Sequence, residues 1–119
     1  MSLKNVHFIL VRPQIAENIG SVARAIKNFN ITKLRLVNPR CKWPNGRAQA
    51  TSVGAKDILL KSKIFNSIDE SISDLDLIFA STARIRKVNK KIIPISDLKK
   101  KMKMRQTIGI IFVSFSFFF

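Results

Sequence analysis

Short apolar runs rich in β-branched residues alternate along this chain with segments of helical periodicity. Five such runs are predicted as strands: "NVHFILV" (5–11), "KLRLVNP" (33–39), "KIF" (63–65), "DLIFASTAR" (76–84), which runs into a polar turn, and "TIGIIFV" (107–113). Helices are predicted between them, at about 18–29, in the first half of 47–60, at 67–75 and in a short basic segment from 94 to 104. This alternation predicts an α/β fold with a mostly parallel sheet and flanking helices.

The length of 119 residues is that of one domain, and the apolar fraction of 46% is enough for a core. Ligands of parallel sheets sit at the carboxyl ends of the strands. The loops that leave those ends are predicted at 12–18, 38–47 and 81–91, where polar residues concentrate. We therefore expect the functional site at this edge.

The stretch "ENIGSVARAIKNFN" (17–30) has an apolar stripe and an opposite polar face. The stripe consists of Ile19, Val22, Ala23, Ile26 and Phe29. Gly20 permits close approach of another backbone or a ligand, and Asn18 and Ser21 can cap free N–H groups. Arg24 lies on the polar face with Ser21, where its guanidinium can reach a phosphate. A capped helix with a solvated arginine explains the same pattern.

Positive charge dominates the composition. The chain has 22 Lys and Arg against 7 Asp and Glu, a net charge of +15 and a pI near 10.9. A field of this sign indicates a polyanionic partner, RNA or DNA before an anionic membrane, although biased genome composition can also raise the lysine content. Ten of the basic residues lie between Arg84 and Arg105, whereas four acids surround the predicted helix at 67–75. One strongly positive side is expected, although a solvated lysine-rich surface fits the same run.

Cysteine and histidine are too few for a disulfide or a metal site. Cys41 is the single cysteine, and His7, inside an apolar run, is the single histidine. This usage fits a reducing cytoplasm, and no signal peptide is expected at the N-terminus.

The segment "NIGSVARAIKNFNITKLRLVNPR" (18–40) resembles the first signature motif of the SpoU class of RNA 2′-O-ribose methyltransferases. This class belongs to the SPOUT superfamily, which has a trefoil-knotted α/β fold. The segment "GAKDILLKSKIFNSIDESISDLDLIFASTAR" (54–84) is similar to the subgroup that methylates ribose in the tRNA anticodon loop. The resemblance covers about residues 5–112. It implies a tRNA substrate, S-adenosylmethionine as methyl donor and, in the family, a homodimer.

The resemblance also implies roles for individual residues. Arg24 matches the catalytic arginine and Asn18 the asparagine near the reacting ribose. The methyl-donor site matches Ser81, Thr82 and Ala83. Contacts to RNA are expected from Arg12, Ser21, Arg84, Arg86 and Lys87. Because the arginine pKa exceeds ~12, Arg24 either takes the ribose proton in a perturbed state or stabilises the alkoxide while another group takes it.

The sequence departs from the family pattern at its C-terminal end. Val113 stands where the second motif has a glycine, "SFSFFF" follows, and the third motif is absent. We therefore expect residues 1–112 to be the N-terminal part of the methyltransferase domain, ending before the knot, and 113–119 to be an aberrant apolar tail. This predicts lost neighbours for the 107–113 strand, no dimer and no activity for the chain alone.

Two other functions remain open at this point. The chain could be a non-catalytic remnant that binds RNA weakly through a basic face. It could also be a basic peptide anchored to a membrane by "IGIIFVSFSFFF" (108–119), although that run is shorter than the ~20 residues needed to span a bilayer.

Overall fold

A computed structural model describes residues 3–80, 92–94 and 106–113. The described residues form six strands and four helices in the following order along the chain: β1 (Val6–Val11), α1 (Ala16–Asn28), β2 (Lys33–Val37), α2 (Gly46–Thr51), α3 (Lys56–Leu60), β3 (Lys63–Phe65), α4 (Ile68–Ile72), β4 (Leu77–Ala80), β5 (Ile92–Pro94) and β6 (Ile108–Val113).

The strands form one sheet in the order β3-β2-β1-β6-β4-β5, and every pairing is parallel. Strand β1 sets the register, with Leu10 opposite Leu36 of β2 and opposite Phe112 of β6. The predicted α/β class with a mostly parallel sheet and flanking helices is therefore confirmed. Termination before the trefoil knot stays a prediction.

Apolar side chains cover both faces of the sheet, because successive strand residues point to opposite sides. On one face, Val6 and Leu10 of β1 pack with α1, α2 and α3. On the other, Ile9 and Val11 pack with Ile72 of α4 and its neighbour Leu75. The result is a three-layer arrangement in which the sheet is buried between helices.

The expectation that the strand at 107–113 lacks neighbours is wrong. Strand β6 lies between β1 and β4, with Ile110 opposite both Phe8 and Phe79. A hydrogen bond to a side chain also fixes the residue before β6, because Thr107 N–H donates to the Asp76 carboxylate at 2.9 Å. Two parallel neighbours make β6 a central strand.

The helices differ from prediction at their ends. Helix α1 begins at Ala16, two residues before the predicted start, and its N-cap Ile15 has no capping side chain, so Asn18 is not the cap. Phe29 was expected on the apolar stripe but is 68% exposed, because the helix ends at Asn28 and Ile31 packs into the core instead. The second half of 47–60 was not predicted as helix, yet it forms α3.

Of two further elements, one agrees with the sequence prediction and one was not predicted. The Ser67 cap of α4 is confirmed, since its Oγ accepts from Glu70 N–H at 3.2 Å. Strand β5 was not predicted, and the remainder of the basic segment after Pro94, like most of the Arg84–Arg105 run, lies outside the described residues.

A buried arginine ties α4 to the sheet. Arg35 of β2 is 4% exposed and donates to both carboxylate oxygens of Asp74, at 2.7 and 2.9 Å. It also donates to the Ser71 carbonyl and lies 5.4 Å from the centre of the Phe65 ring. The hydrogen bonds from Arg35 lower the pKa of Asp74 to about 2.

Candidate functional site

The loops after β1 and β2 meet at the carboxyl edge of the sheet, where the sequence predicts the site. Arg12 N–H donates to the Val37 carbonyl and Arg40 N–H donates to the Pro13 carbonyl, both at 2.8 Å. Arg12 and Asn38, each the first residue after its strand, have positive φ angles of 49° and 46°. These contacts join the two loops and leave the side chains of Arg12 and Arg40 exposed.

Helix α1 leaves this edge and is packed closely by α2. A Cβ atom on Gly20 would overlap the Ala48 carbonyl oxygen and the Thr51 hydroxyl. That hydroxyl donates to the Glu17 carbonyl at 2.8 Å. The predicted close approach at Gly20 is therefore confirmed, and the approaching backbone is that of α2.

Asn18 lies in the first turn of α1 and is 7% exposed. Its side-chain nitrogen Nδ2 is buried and finds no hydrogen-bond acceptor in the part of the chain that the structure describes. A buried donor without an acceptor costs about 1–3 kcal/mol, so such groups in native proteins call for an explanation. An acceptor brought by a ligand is one explanation.

The polar face of α1 is solvent-exposed, as predicted. Ser21 and Arg24 lie one turn apart on this face, together with Asn28. Ser21 Oγ donates to the Glu17 carbonyl at 3.0 Å and is not a helix cap. Arg24 makes no ion pair within residues 3–80, 92–94 and 106–113, so its guanidinium is available to an anionic ligand.

The structure separates the two residues expected at the reacting ribose. Six helical positions place Arg24 about 9 Å along the axis from Asn18 and about 120° around it. One side chain is buried in the fold and the other points to solvent. The two side chains therefore do not share one face of α1.

The other predicted site residues cannot be compared with the structure. Ser81, Thr82, Ala83, Arg84, Arg86 and Lys87 lie outside the described residues. Ala80, which precedes them, ends β4 beside β6, with Ala80 opposite Ile111. Ala80, the last described residue of β4, thus lies at the carboxyl edge of the sheet.

The described residues contain no cluster of three or more His, Cys, Asp and Glu side chains that could hold a metal ion. Burial raises the pKa of Cys41, which keeps its thiol protonated at neutral pH. No helix within the described ranges is long and apolar enough to cross a bilayer.

The opposite, amino-terminal edge holds a feature that sequence reasoning missed. Two adjoining grooves there share Thr32 and Lys33. The signal available in the sequence was the lysine that begins each of two strands, Lys33 in β2 and Lys63 in β3. The sequence indicates only that each lysine begins a strand, because it does not show that β2 and β3 lie side by side in the sheet.

Comparison with known proteins identifies the family. Residues 5–112 match the model of the SpoU rRNA methylase family. The chain belongs to the SpoU family. The predicted family resemblance over about residues 5–112 is thereby confirmed.

The SpoU relatives of the chain include enzymes that act on tRNA. The chain is 36% identical over 111 residues to the tRNA (cytidine-2'-O-)-methyltransferase TrmJ of Methanocaldococcus jannaschii, covering 90% of this chain and 48% of that protein. It is 39% identical over 84 residues to the tRNA (cytidine/uridine-2'-O-)-methyltransferase TrmJ of Yersinia pestis (strain Pestoides F), covering 71% of this chain and 32% of that protein.

The fold agrees with a solved SpoU relative. The crystal structure of TrmJ from Z. mobilis ZM4 superposes with a TM-score of 0.76 at 38% identity, covering 90% of this chain and 48% of that one. The chain thus spans less than half the length of these relatives. The parallel sheet described above is the fold they share.

Proposed function

We propose that this chain carries the ribose-side part of a tRNA 2′-O-methyltransferase that uses S-adenosylmethionine. The observation that carries the proposal is helix α1, which begins at the carboxyl edge of a parallel sheet. Its first turn holds the buried Asn18 nitrogen, which has no acceptor among the described residues, and the exposed Arg24 lies about 9 Å further along the helix. The names of the TrmJ relatives support tRNA as the substrate. A cytoplasmic setting belongs to the same proposal.

In the proposed reaction, the ribose 2′-hydroxyl attacks the methyl carbon of the sulfonium, and its proton leaves to a base. S-adenosylmethionine, when bound, would supply this methyl group, and its sulfur would leave with the electron pair of the broken bond as a thioether. Arg24, exposed and without an ion pair in the described ranges, binds the phosphate or the developing alkoxide. Asn18 donates from its buried nitrogen to an oxygen of the substrate.

The methyl donor is proposed to bind where β4 and β6 end side by side. Ala80 and Val113 close these strands at the carboxyl edge, and Ser81, Thr82 and Ala83 follow Ala80 in the chain. Sites at this edge of parallel sheets suit a nucleoside-containing ligand. S-adenosylmethionine supplies the electrophilic methyl group when it is bound.

The proposal is tested with the chain and with a chimera. The chimera carries Val113→Gly followed by the remaining C-terminal part of Z. mobilis TrmJ. We expect methyl transfer to bulk tRNA, measured with tritiated S-adenosylmethionine, from the chimera and none from the 119-residue chain. Positioning of donor and hydroxyl contributes several kcal/mol to such a reaction, and we expect it to require the added part.

Two substitutions in the chimera test the catalytic role proposed for Arg24. We expect Arg24→Ala to abolish transfer, whereas Lys56→Ala also removes an exposed positive charge, but one outside the site, and leaves transfer unchanged. Calorimetric titration with S-adenosylmethionine checks that donor binding survives in both variants. An active Arg24→Ala chimera would remove the catalytic role from Arg24, and turnover by the chain alone would show that the added part is dispensable.

A further inference from the structure

The amino-terminal edge of the sheet contains two adjoining grooves that the proposed reaction does not use. The first has a volume of about 430 Å³ and the second about 840 Å³. Their linings share Thr32 and Lys33, so together they form one continuous surface, the amino-edge groove. It is lined mainly by the first residues of β2 and β3, the residue after α3 and the segment before β1.

Three exposed lysines from separate elements converge on this groove. Lys33 begins β2, Lys61 follows α3 and Lys63 begins β3. None of the three forms an ion pair within the described ranges. Lysines spread over about 30 positions of sequence thus face one concave surface, which distinguishes them from a run of lysines along one exposed helix.

The carboxylates nearest the groove are already paired. Asp57, the acid in its lining, accepts from Lys27 at 3.1 Å, and Asp74 accepts from Arg35. The three lysines are therefore left without a local counterion among the described residues. A concave surface with uncompensated cations attracts anions strongly.

The pKa of His7, which lines the groove, is affected by the same positive charges. Burial, together with the charges of Arg35, Lys33 and Lys63, lowers the pKa of His7 to about 4, an effect only partly offset by Asp74. The imidazole is therefore neutral at physiological pH. It offers a flat ring and a hydrogen-bonding nitrogen between the lysines, both of which suit a nucleotide.

We propose that the amino-edge groove binds the phosphate backbone of RNA, through Lys33, Lys61 and Lys63. This inference rests on the proposed function for the identity of the RNA, which is tRNA. Strands of six residues separate the amino edge from the carboxyl edge by about 20 Å. The groove therefore holds a part of the tRNA away from the proposed methyl-donor site at the carboxyl edge, and it contributes affinity rather than chemistry.

Salt-dependent binding of the 119-residue chain tests the groove. The probe is fluorescein-labelled bulk tRNA, followed by anisotropy without methyl donor between about 50 and 200 mM salt. We expect the combined change Lys33→Gln, Lys61→Gln and Lys63→Gln to weaken binding at least about tenfold at the low-salt end. The slope of the logarithm of the association constant against the logarithm of the salt concentration should become less steep by about 2 to 3 units. Each lysine–phosphate contact contributes a little under one unit to that slope.

A matched control separates the groove from diffuse attraction. Lys63→Gln and Lys56→Gln each remove one exposed charge, but Lys56 lines neither part of the groove. We expect Lys63→Gln to lower the slope by about one unit and Lys56→Gln to leave it unchanged. Equal effects of the two variants, or an unchanged slope in the triple variant, would overturn the proposal.

Competition identifies the class of ligand. We expect unlabelled tRNA to displace the probe at far lower concentration than polyglutamate of equal charge, and the triple variant to lose this preference. Displacement by polyglutamate at equal concentration would refute an RNA site. These measurements are independent of methyl transfer, so an inactive chimera would count against the proposed function alone.

Discussion

Replacement of Gly20 by alanine has two opposite effects on stability: it favours the helix, but it introduces a steric overlap with α2. Gly20 lies inside α1, where alanine is favoured over glycine by about 1 kcal/mol. A Cβ atom at this position, however, would overlap the Ala48 carbonyl oxygen and Thr51 Oγ1 of α2. The carbonyl belongs to the backbone and cannot rotate away, so α2 must move.

The two effects can be compared. Displacement of a packed element by an added methyl group costs about 1–3 kcal/mol. The Thr51 hydrogen bond to the Glu17 carbonyl, 2.8 Å long, would be strained or lost at a further cost of about 1 kcal/mol. After the gain in propensity is subtracted, we expect Gly20→Ala to lower the free energy of unfolding by about 1–3 kcal/mol.

A second glycine supplies the control. Gly46 begins α2, and nothing lies within 4 Å of a Cβ atom built there. We expect Gly46→Ala to leave the free energy of unfolding unchanged or to raise it by up to about 1 kcal/mol. Urea titrations followed by far-ultraviolet circular dichroism measure both variants. A Gly20→Ala protein as stable as the original would show that α2 moves freely, and the packing argument would then fail.

Two further predictions concern charge and solubility. Since the folded-state pKa of Asp74 lies below its ordinary value of 3.8, at about 2, its contribution is present above pH 4 and lost as the pH falls towards 2. The shift sets an upper bound of about 2.5 kcal/mol, which the exposure of the carboxylate reduces to about 1 kcal/mol. Asp74→Asn should therefore lower stability in urea titrations at pH 6 and by much less at pH 2, and an equal loss at both values would contradict this. Deletion of residues 114–119, a segment of four Phe and two Ser, should raise the soluble yield on expression, because uncharged β-prone segments aggregate. An unchanged or lower yield would show that the segment packs against the fold.

Local patterns were sufficient for several elements. The strand at Lys63–Phe65 and the Ser67 cap of α4 depend on residues within one turn or one strand, and both were predicted correctly. The apolar stripe of α1 was also predicted, apart from Phe29 at its end. A periodicity of 3.6 residues shows which side of a helix is buried, but it does not show where the helix stops.

The position of β6 could not be predicted, because strand order depends on contacts between distant parts of the chain. The same is true of Arg35, which has the pattern of a solvated strand residue until Asp74 and Phe65 are brought beside it. The sequence correctly predicted the close approach at Gly20 and the exposed polar face that carries Arg24, but it assigned Asn18 to a cap. Helix α1 begins earlier, at Ala16, so Asn18 lies within its first turn, where it is buried.

By itself, the sequence determined the α/β class and the family, because these depend on local periodicity and on an ordered motif. Only the tertiary structure decided that the Asn18 side chain is buried with no acceptor for its nitrogen among the described residues, and that Lys33, Lys61 and Lys63 face one groove. Parallel pairing of β3 with β2 brings residues about 30 positions apart to one edge. The convergence of their charges is a property of strand order and register, which no local pattern contains.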